Sequence, residues 1–247
     1  MEYVEGGELF KAIVKRGPFS EKDAAKIAQQ VLIGMKVLHE NNVVHRDLKP
    51  ENLLFKPINN DGKAYDENSQ EIYEGDFIIK IADFGLSGII EKNKKMEKYF
   101  GTLGYAAPEV LKNVPYDKTA DIWSLGCIFY CLLSGKSPFP ESFDDSEEYR
   151  YGILEFPSPE WDGISDDAKE FIKYFLNPNP NMRTSLDEAL EDPWIVEMAP
   201  HMEISDLREH LKTFNLKRKL RRVMERTKNA KRLQKLMLIE EQPKTQQ

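Results

Sequence analysis

The sequence has very few cysteines, and this excludes a disulfide-stabilised framework. Among 247 residues only Cys127 and Cys131 occur. They lie four apart in the apolar run 122–133, so we expect two buried thiols on one face of a helix. The same run is too short to span a bilayer. The first residues are acidic and do not resemble a signal peptide, so we expect a cytoplasmic protein, with the nucleus as the alternative.

Charge is distributed unevenly along the chain. The formal net charge is −7, yet residues 214–235 contain ten Lys and Arg residues and one acid. An acidic body with a basic segment near its end predicts that this segment docks on the body, on an acidic partner, or on both. The hydrophobic content of 40% is ordinary for a globular protein, and the length suffices for one sizeable core or two small ones.

Helical periodicity is clearest in the first quarter of the chain. Ser20 is the predicted N-cap of a long helix, with Asp23 at its third position. Apolar residues then recur at helical spacing and predict a core stripe formed by Ile27, Val31, Met35 and Leu38. A second helix, near 120–135, is apolar nearly all round, which indicates burial on all sides.

Short strands are predicted around a loop that carries several polar residues. We expect strands at 43–45, 53–55 and 78–82. The stretch 56–77 between the last two is polar and rich in turn residues, and it predicts a long exposed loop.

The loop itself is the most informative part of the sequence. It reads His45-Arg46-Asp47-Leu48-Lys49-Pro50-Glu51-Asn52, and Asp83-Phe84-Gly85 follows the third strand. An acid, a lysine and an amide carbonyl on one loop, with a second acid nearby, are what the transfer of a phosphoryl group from a Mg-bound nucleotide to a hydroxyl requires.

With these motifs the chain resembles the large, C-terminal lobe of a Ser/Thr protein kinase of the calcium/calmodulin-dependent group. The resemblance implies a mainly α (α+β) fold, in which a short β-hairpin region carries the catalytic loop and no N-terminal β lobe is present. It implies a partial kinase domain at 1–195 with a polar insertion at 56–77. A regulatory, calmodulin-binding-like basic helical tail would span 196–240, and 241–247 would be a frayed terminus.

The resemblance also assigns chemical roles in the transfer of the ATP γ-phosphoryl group. Asp47 would accept or orient the proton of the substrate hydroxyl, and Lys49 would neutralise charge on the transferring phosphate. Asn52 and Asp83 would supply oxygen ligands to Mg²⁺, a cation that prefers oxygen. Lysine at position 49 indicates Ser/Thr rather than Tyr specificity.

The opening segment resembles the family's hinge, which implies contacts with ATP. The Glu2 carbonyl and the Val4 N–H would meet the adenine, and Leu54 would form the floor of its pocket. Glu8 would touch the ribose and, together with Glu51, a basic residue of the substrate, which predicts a preference for Arg upstream of the acceptor. A plain solvent-facing acid is an equally open interpretation of Glu8.

Three supporting interactions are implied as well. Glu109 would form a buried ion pair with Arg183, rather than a surface pair of little energetic weight. Asp121 would brace the catalytic loop through backbone N–H groups. Thr102 would hydrogen-bond beside Asp47 and Lys49.

The segment before Gly101 departs from a common pattern of the family. There, the arginine corresponding to Arg46 often binds a phosphorylated Thr, but residues 97–100 contain no Ser or Thr. Glu97 is a candidate for partial charge compensation. The alternative is that the segment becomes ordered without any such compensation.

Residues 211–224 resemble the regulatory segment of calmodulin-dependent kinases. Phe214 and Val223 are apolar anchors on a basic helix, which suits an acidic, Met-rich groove. We therefore expect calmodulin or a related calcium sensor to bind through 205–240, and the same helix would block the substrate channel. A solvated basic helix, or a patch for nucleic acid or a membrane surface, is the alternative. The sequence contains no calcium-loop motif, so the sensor would be a separate chain.

No Gly-rich phosphate loop and no strand lysine precede the catalytic loop. Three interpretations follow: part of an active kinase, a non-catalytic binding or regulatory module, or a chain that is active only when another polypeptide supplies a small lobe. Because catalysis of this kind depends on positioning and electrostatics, we expect little or no activity from the isolated chain.

Overall fold

The computed structural model describes residues 7–9, 11, 19–58, 76–91, 94–97, 100–139 and 153–199. Its helices are α1 (Glu21–Glu40), α2 (Pro108–Leu111), α3 (Thr119–Ser134), α4 (Asp166–Phe175), α5 (Leu186–Leu190) and α6 (Pro193–Met198), and 3₁₀ turns span Pro50–Asn52 and Pro180–Met182. Its strands are β1 (Val43–Val44), β2 (Leu53–Ile58), β3 (Asp76–Ile81) and β4 (Gly88–Ile89). The predicted mainly helical fold with few short strands is confirmed for these residues. The basic tail beyond position 199 and most of the polar stretch 56–77 lie outside them.

Helix α1 begins and packs as its sequence predicts. The Ser20 hydroxyl accepts a hydrogen bond from the Asp23 N–H at 3.2 Å, which satisfies one of the free donors of the first turn. The predicted stripe is at most 4% exposed; its members are Ile27, Val31, Met35 and Leu38. The helix ends before Asn42, whose φ of 58° turns the chain toward β1.

Helix α3 forms the centre of the core. Every residue from 120 to 134 is buried, including both cysteine thiols, as the sequence predicts. Gly126 permits the close approach of α4, because a Cβ there would lie 2.7 Å from the Phe175 Cβ. Gly135, at φ 72°, ends the helix by donating its N–H to the Cys131 carbonyl. Within the described residues, no helix combines the length and the apolar character that crossing a membrane requires.

The pairing of the strands brings two loops together. Strand β2 pairs antiparallel with β3, with Leu53 opposite Ile81, and β1 pairs antiparallel with β4, with Val44 opposite Gly88. Residues 45–52 connect β1 to β2, and residues 82–87 connect β3 to β4. Because the outer strands pair with each other and the inner strands do likewise, the two connecting loops must lie side by side.

Two side chains, the buried Gln30 and the partly buried Glu21, fix this strand region and the helices relative to α1. The Gln30 amide donates to the Phe77 carbonyl at 3.1 Å and accepts from the Ile79 N–H at 2.9 Å, which anchors β3 on α1. Glu21 accepts hydrogen bonds from the Ser165 N–H and hydroxyl and from the Trp194 indole, which joins α1 to α4 and α6. Partial burial raises the pKa of Glu21, but these hydrogen bonds outweigh it and leave the pKa below its ordinary value.

Candidate active site

The loop 45–52 is anchored to helix α3 by a buried carboxylate. Asp121, in the first turn of α3, accepts hydrogen bonds from the backbone N–H groups of His45 and Arg46, both at 2.9 Å. It also accepts one from the His39 Nε2 at 2.9 Å. Burial raises the pKa of Asp121, but the hydrogen bond and charge of His39 and the backbone donors outweigh it and hold this pKa below its ordinary value. The bracing role predicted for Asp121 is therefore confirmed as geometry.

Asp47 and Lys49 meet at one hydroxyl group. The Thr102 hydroxyl donates to the Asp47 Oδ1 at 2.8 Å and accepts from the Lys49 Nζ at 2.9 Å. The Lys49 Nζ lies 3.7 Å from the Asp47 Oδ2. A carboxylate and an ammonium group are thus held with fixed geometry at the mouth of the loop, and the hydrogen bond predicted for Thr102 is confirmed.

Asn52 and Asp83 come from the two neighbouring loops. The Asn52 Nδ2 donates to the Asp47 backbone carbonyl at 2.7 Å, and the Asn52 backbone carbonyl accepts from the Ala82 N–H at 2.8 Å. The second of these hydrogen bonds joins the loops directly before Asp83. Asp83 itself is exposed, adopts φ 52°, and accepts a hydrogen bond from the Gly85 N–H at 3.0 Å.

His45 holds the second loop in place. Its Nε2 lies 2.9 Å from the Ala82 carbonyl oxygen, and its ring packs against the Phe84 ring with 5.2 Å between centroids. The Ser87 hydroxyl donates to the His45 carbonyl at 3.3 Å. The loop 82–87 is therefore fixed against the loop 45–52 at both of its ends.

The donor set fits a hard divalent cation. Because the Asn52 Nδ2 is engaged by the Asp47 carbonyl, the amide oxygen is the atom left to serve as a ligand, and Asp83 adds a solvent-facing carboxylate. Mg²⁺ takes oxygen ligands, commonly one or two protein groups completed by water and phosphate oxygens. In the part of the chain that the structure describes, no cluster of three His, Cys, Asp or Glu residues forms a protein cage for a metal.

The remaining predicted site residues are only partly described. Glu8 forms a β-bridge with Leu54, so these two lie together, and Glu8 makes an ion pair with Lys11 at 3.7 Å. The Oε2 of Glu51 is buried and has no hydrogen-bond partner among the described residues. Glu2 and Val4 lie outside the described residues.

Glu109 and Arg183 form the predicted buried ion pair. The guanidinium binds the carboxylate through two parallel hydrogen bonds of 2.7 and 2.8 Å. It also donates to the carbonyl groups of Asn177 and Thr119. The Arg183 side chain is 0% exposed and the Glu109 side chain 9%. The pair therefore joins the turn before α5 to helix α2 in the interior.

Sequence reasoning missed some residues that shape the site. His39, which donates to Asp121, is separated from it by 82 positions, and only its place at the end of an apolar helix stripe hints at burial. The Arg46 guanidinium lies against Phe100 and not against Glu97, which is exposed. The compensation suggested for Glu97 is therefore replaced by an aromatic contact.

Comparison with known proteins agrees with this geometry. A family model described as protein kinase domain matches residues 1–195. A calcium/calmodulin-dependent protein kinase type 1 of Caenorhabditis briggsae is 44% identical over 200 residues, which are 79% of this chain and 51% of that protein. The type II enzyme of the same species is 39% identical over 240 residues, with 94% and 42% covered. A probable myosin light chain kinase of Dictyostelium discoideum is 40% identical over 211 residues, with 84% and 50% covered.

The chain spans about half the length of the curated relatives it matches. The family model covers more than half of the chain and includes both loops of the site, helix α3 and the Glu109–Arg183 pair. The chain therefore belongs to the protein kinase domain family, in the Ser/Thr kinase group of the calcium/calmodulin-dependent kinases.

Proposed function

We propose that this chain carries the large-lobe part of a Ser/Thr protein kinase site, which transfers the γ-phosphoryl group of ATP to Ser or Thr hydroxyls of proteins. The observation that supports it best is the cluster in which Thr102 joins Asp47 and Lys49, while Asn52 of the same loop binds the Ala82 N–H, directly before Asp83 on the adjoining loop. Residues 1–195 would form the kinase part, 196–240 the regulatory segment and 241–247 a frayed end.

Each group of the cluster has a role that suits its position. Asp47 orients the acceptor hydroxyl and takes its proton, and its hydrogen bond to Thr102 limits how the carboxylate can rotate. The Lys49 ammonium group donates to the same Thr102 hydroxyl and offsets negative charge on the phosphoryl group during its transfer.

Asn52 and Asp83 are the residues that would hold Mg²⁺. A cation held there would neutralise negative charge on the phosphate groups of the nucleotide. The hydrogen bond between Ala82 and Asn52 supports this assignment, because it keeps the two ligand residues on facing loops. The proposed adenine contacts are the Glu2 carbonyl, the Val4 N–H and Leu54.

Substrate preference is proposed to follow from two acids. Glu8 and Glu51 would bind an Arg side chain upstream of the acceptor. Both acids lie inside the matched kinase region, and charge-assisted hydrogen bonds between carboxylates and a guanidinium are strong. The bridge between Glu8 and Leu54 holds Glu8 at the edge of the same region.

The proposal is tested by phosphoryl transfer from Mg-ATP to a peptide that has an acceptor Ser and an Arg three residues upstream. The comparison is with the same peptide in which Ala replaces that Arg. The assay uses chain 1–247 alone and the same chain placed behind the small lobe of the type 1 relative. We expect transfer by the fused protein, a preference for the Arg peptide, and a loss of about 10²- to 10⁴-fold in Asp47→Asn.

Asp166→Asn is the matched control for this loss, because the Asp166 side chain is 97% exposed on α4. Its transfer rate should equal that of the unsubstituted protein. Transfer that survives in Asp47→Asn, or that is absent from the fused protein, would contradict the kinase proposal and favour a non-catalytic binding module.

Calmodulin, or a related calcium sensor, is the proposed partner of residues 205–240. The basic, Phe- and Leu-containing sequence of this segment supports it, since it complements an acidic Met-rich groove. Titration of chain 1–247 with calcium-loaded calmodulin should release or absorb heat, and a chelator should abolish the signal. A variant with alanines at Lys217, Arg218 and Lys219 should bind more weakly. The absence of any calcium-dependent heat would contradict the proposal.

A further inference from the structure

Arg46 links the catalytic loop to a segment that the mechanism above does not use. It precedes Asp47 and adopts φ 70°, a left-handed conformation that is unfavourable for a residue with a side chain. Its N–H donates to Asp121, and its side chain leaves the loop toward residues 94–101. Anything that fixes this side chain also fixes the backbone from which Asp47 projects.

The guanidinium is held by two aromatic residues. Its Cζ lies 4.4 Å from the centroid of the Phe100 ring, within the range of a cation–π interaction. It also forms a hydrogen bond with the Tyr116 hydroxyl, whose pKa is raised by burial and partly lowered again by Arg46. The Arg46 Nε is buried and finds no acceptor among the described residues, so the ring face and the hydroxyl are its main compensation there.

The surroundings of the guanidinium are closely fitted. A Cβ at Gly88 would lie 3.1 Å from the Arg46 Cζ and 2.7 Å from the Met96 Cε, so a side chain at this point of β4 would displace the ends of both side chains. Met96 and Tyr116 exchange two backbone hydrogen bonds of 2.8 and 3.0 Å. We call Gly88, Met96, Phe100 and Tyr116 the Arg46 cage. It brings together β4, the segment before Gly101 and the approach to α3.

We propose that Phe100 and Tyr116 are positioning residues, which through Arg46 hold the catalytic loop and residues 94–97 and 100–101 in one arrangement, without a phosphate group on them. Residues 97–100 contain no Ser or Thr, so this stretch offers Arg46 no phosphorylated Ser or Thr as an alternative to the Phe100 ring. The inference rests on the proposed function for its catalytic meaning. The positioning of the catalytic loop by Phe100 and Tyr116 rests on the contacts of the Arg46 cage alone.

The test is amide hydrogen exchange of the chain 1–247, followed by NMR at Arg46, Met96 and Tyr116. The first two amides donate to Asp121 and to the Tyr116 carbonyl, and the third donates to the Met96 carbonyl. Phe100→Leu keeps an apolar side chain but removes the ring face, and we expect about tenfold faster exchange at all three. Phe100→Tyr keeps the ring face and should restore exchange to within about twofold.

Two further variants separate positioning from general destabilisation. Phe77→Leu removes another ring that carries a cation, with the Lys26 Nζ 4.7 Å from its centroid, and it should leave the three amides unchanged. Arg46→Met should accelerate them as Phe100→Leu does, and the double variant should add nothing to Arg46→Met. Melting curves identify any variant that loses the fold as a whole.

The outcomes are distinguishable from those of the kinase test. Exchange that is unchanged in Phe100→Leu, or that rises equally in Phe77→Leu, would overturn the positioning role whether or not the protein transfers phosphate. In the fused protein the role predicts that Phe100→Leu lowers kcat by about tenfold with an unchanged peptide KM, and that Phe100→Tyr recovers it. If Phe100→Leu accelerates exchange but the fused protein transfers no phosphate, the kinase proposal is rejected and the positioning role of the Arg46 cage stands.

Discussion

Replacement of Arg183 by methionine is expected to lower the free energy of unfolding by about 3–5 kcal/mol, because it leaves a buried carboxylate without its partner. The Glu109 side chain is only 9% exposed, and each of its two carboxylate oxygens accepts a hydrogen bond from the Arg183 guanidinium. Methionine preserves much of the volume against the Trp123 ring, which lies 5.1 Å from the guanidinium carbon. The loss therefore reports mainly on charge and hydrogen bonding.

The same variant also removes two donors to the backbone. The carbonyl groups of Asn177 and Thr119 accept from the guanidinium at 2.8 and 2.9 Å, so the turn after α4 and the start of α3 lose a contact together with α2. Lysine at this position should recover only part of the stability, because a single ammonium group cannot form the two parallel hydrogen bonds. Urea unfolding of the wild type, Arg183→Met and Arg183→Lys measures these differences.

Two controls define what the measurement means. Lys94→Met removes a cation of similar length from a pair with Glu91 in which both side chains are about 70% exposed, and it should be nearly neutral. The double variant Glu109→Gln/Arg183→Met should be more stable than the sum of the single losses predicts, since neither charge is then left alone. An Arg183→Met loss no larger than that of Lys94→Met would contradict the buried-pair argument.

Local signals in the sequence predicted a large part of the fold. The hydroxyl of Ser20, the apolar spacing of α1 and the uninterrupted apolar character of α3 are each contained in about twenty consecutive residues, and the structure has these elements where they were expected. Three of the four strands, β1 to β3, were also predicted from short apolar runs around the catalytic loop, whereas the two-residue strand β4 was not. Local chemistry decides such features, so a single sequence suffices for them.

Contacts between distant segments could not be predicted in the same way. Glu21 meets Ser165 across 144 positions, and nothing in either neighbourhood specifies the other. The catalytic loop was predicted as a unit from its motif, whereas the partners of Arg46 were not, since Phe100 and Tyr116 are distant from it in the sequence. The roles of Asp47, Lys49, Asn52 and Asp83 stay proposals, although their mutual geometry agrees with the prediction.

Replacement of Asp121 by alanine is expected to destabilise the protein by about 3–5 kcal/mol and to loosen the catalytic loop. Three donors would lose their acceptor in the interior: the N–H groups of His45 and Arg46 and the His39 Nε2. Each buried donor left unpaired costs about 1–3 kcal/mol. Arg46 also adopts φ 70°, and the hydrogen bond to Asp121 is one of the contacts that hold it there.

Asparagine at position 121 separates shape from charge. It has the same size, but its single amide oxygen cannot accept all three hydrogen bonds, and its NH₂ group would face a donor. We therefore expect Asp121→Asn to lose nearly as much stability as Asp121→Ala. Asp117→Ala is the matched control near the start of α3, because its carboxylate binds Thr119 instead, and it should cost about 1 kcal/mol.

The dependence on pH identifies the charged carboxylate as the cause. Burial raises the pKa of Asp121, but the hydrogen bonds and charges around it lower this pKa by more, so in the folded protein it lies below the ordinary value. A depressed pKa contributes stability above the unfolded value of about 4, and this contribution is lost as the pH falls through the folded pKa. The difference in unfolding free energy between wild type and Asp121→Asn should thus be constant near neutral pH and shrink in acid. A difference that is independent of pH down to acid unfolding would mean that shape alone, and not the ionised carboxylate, holds the catalytic loop.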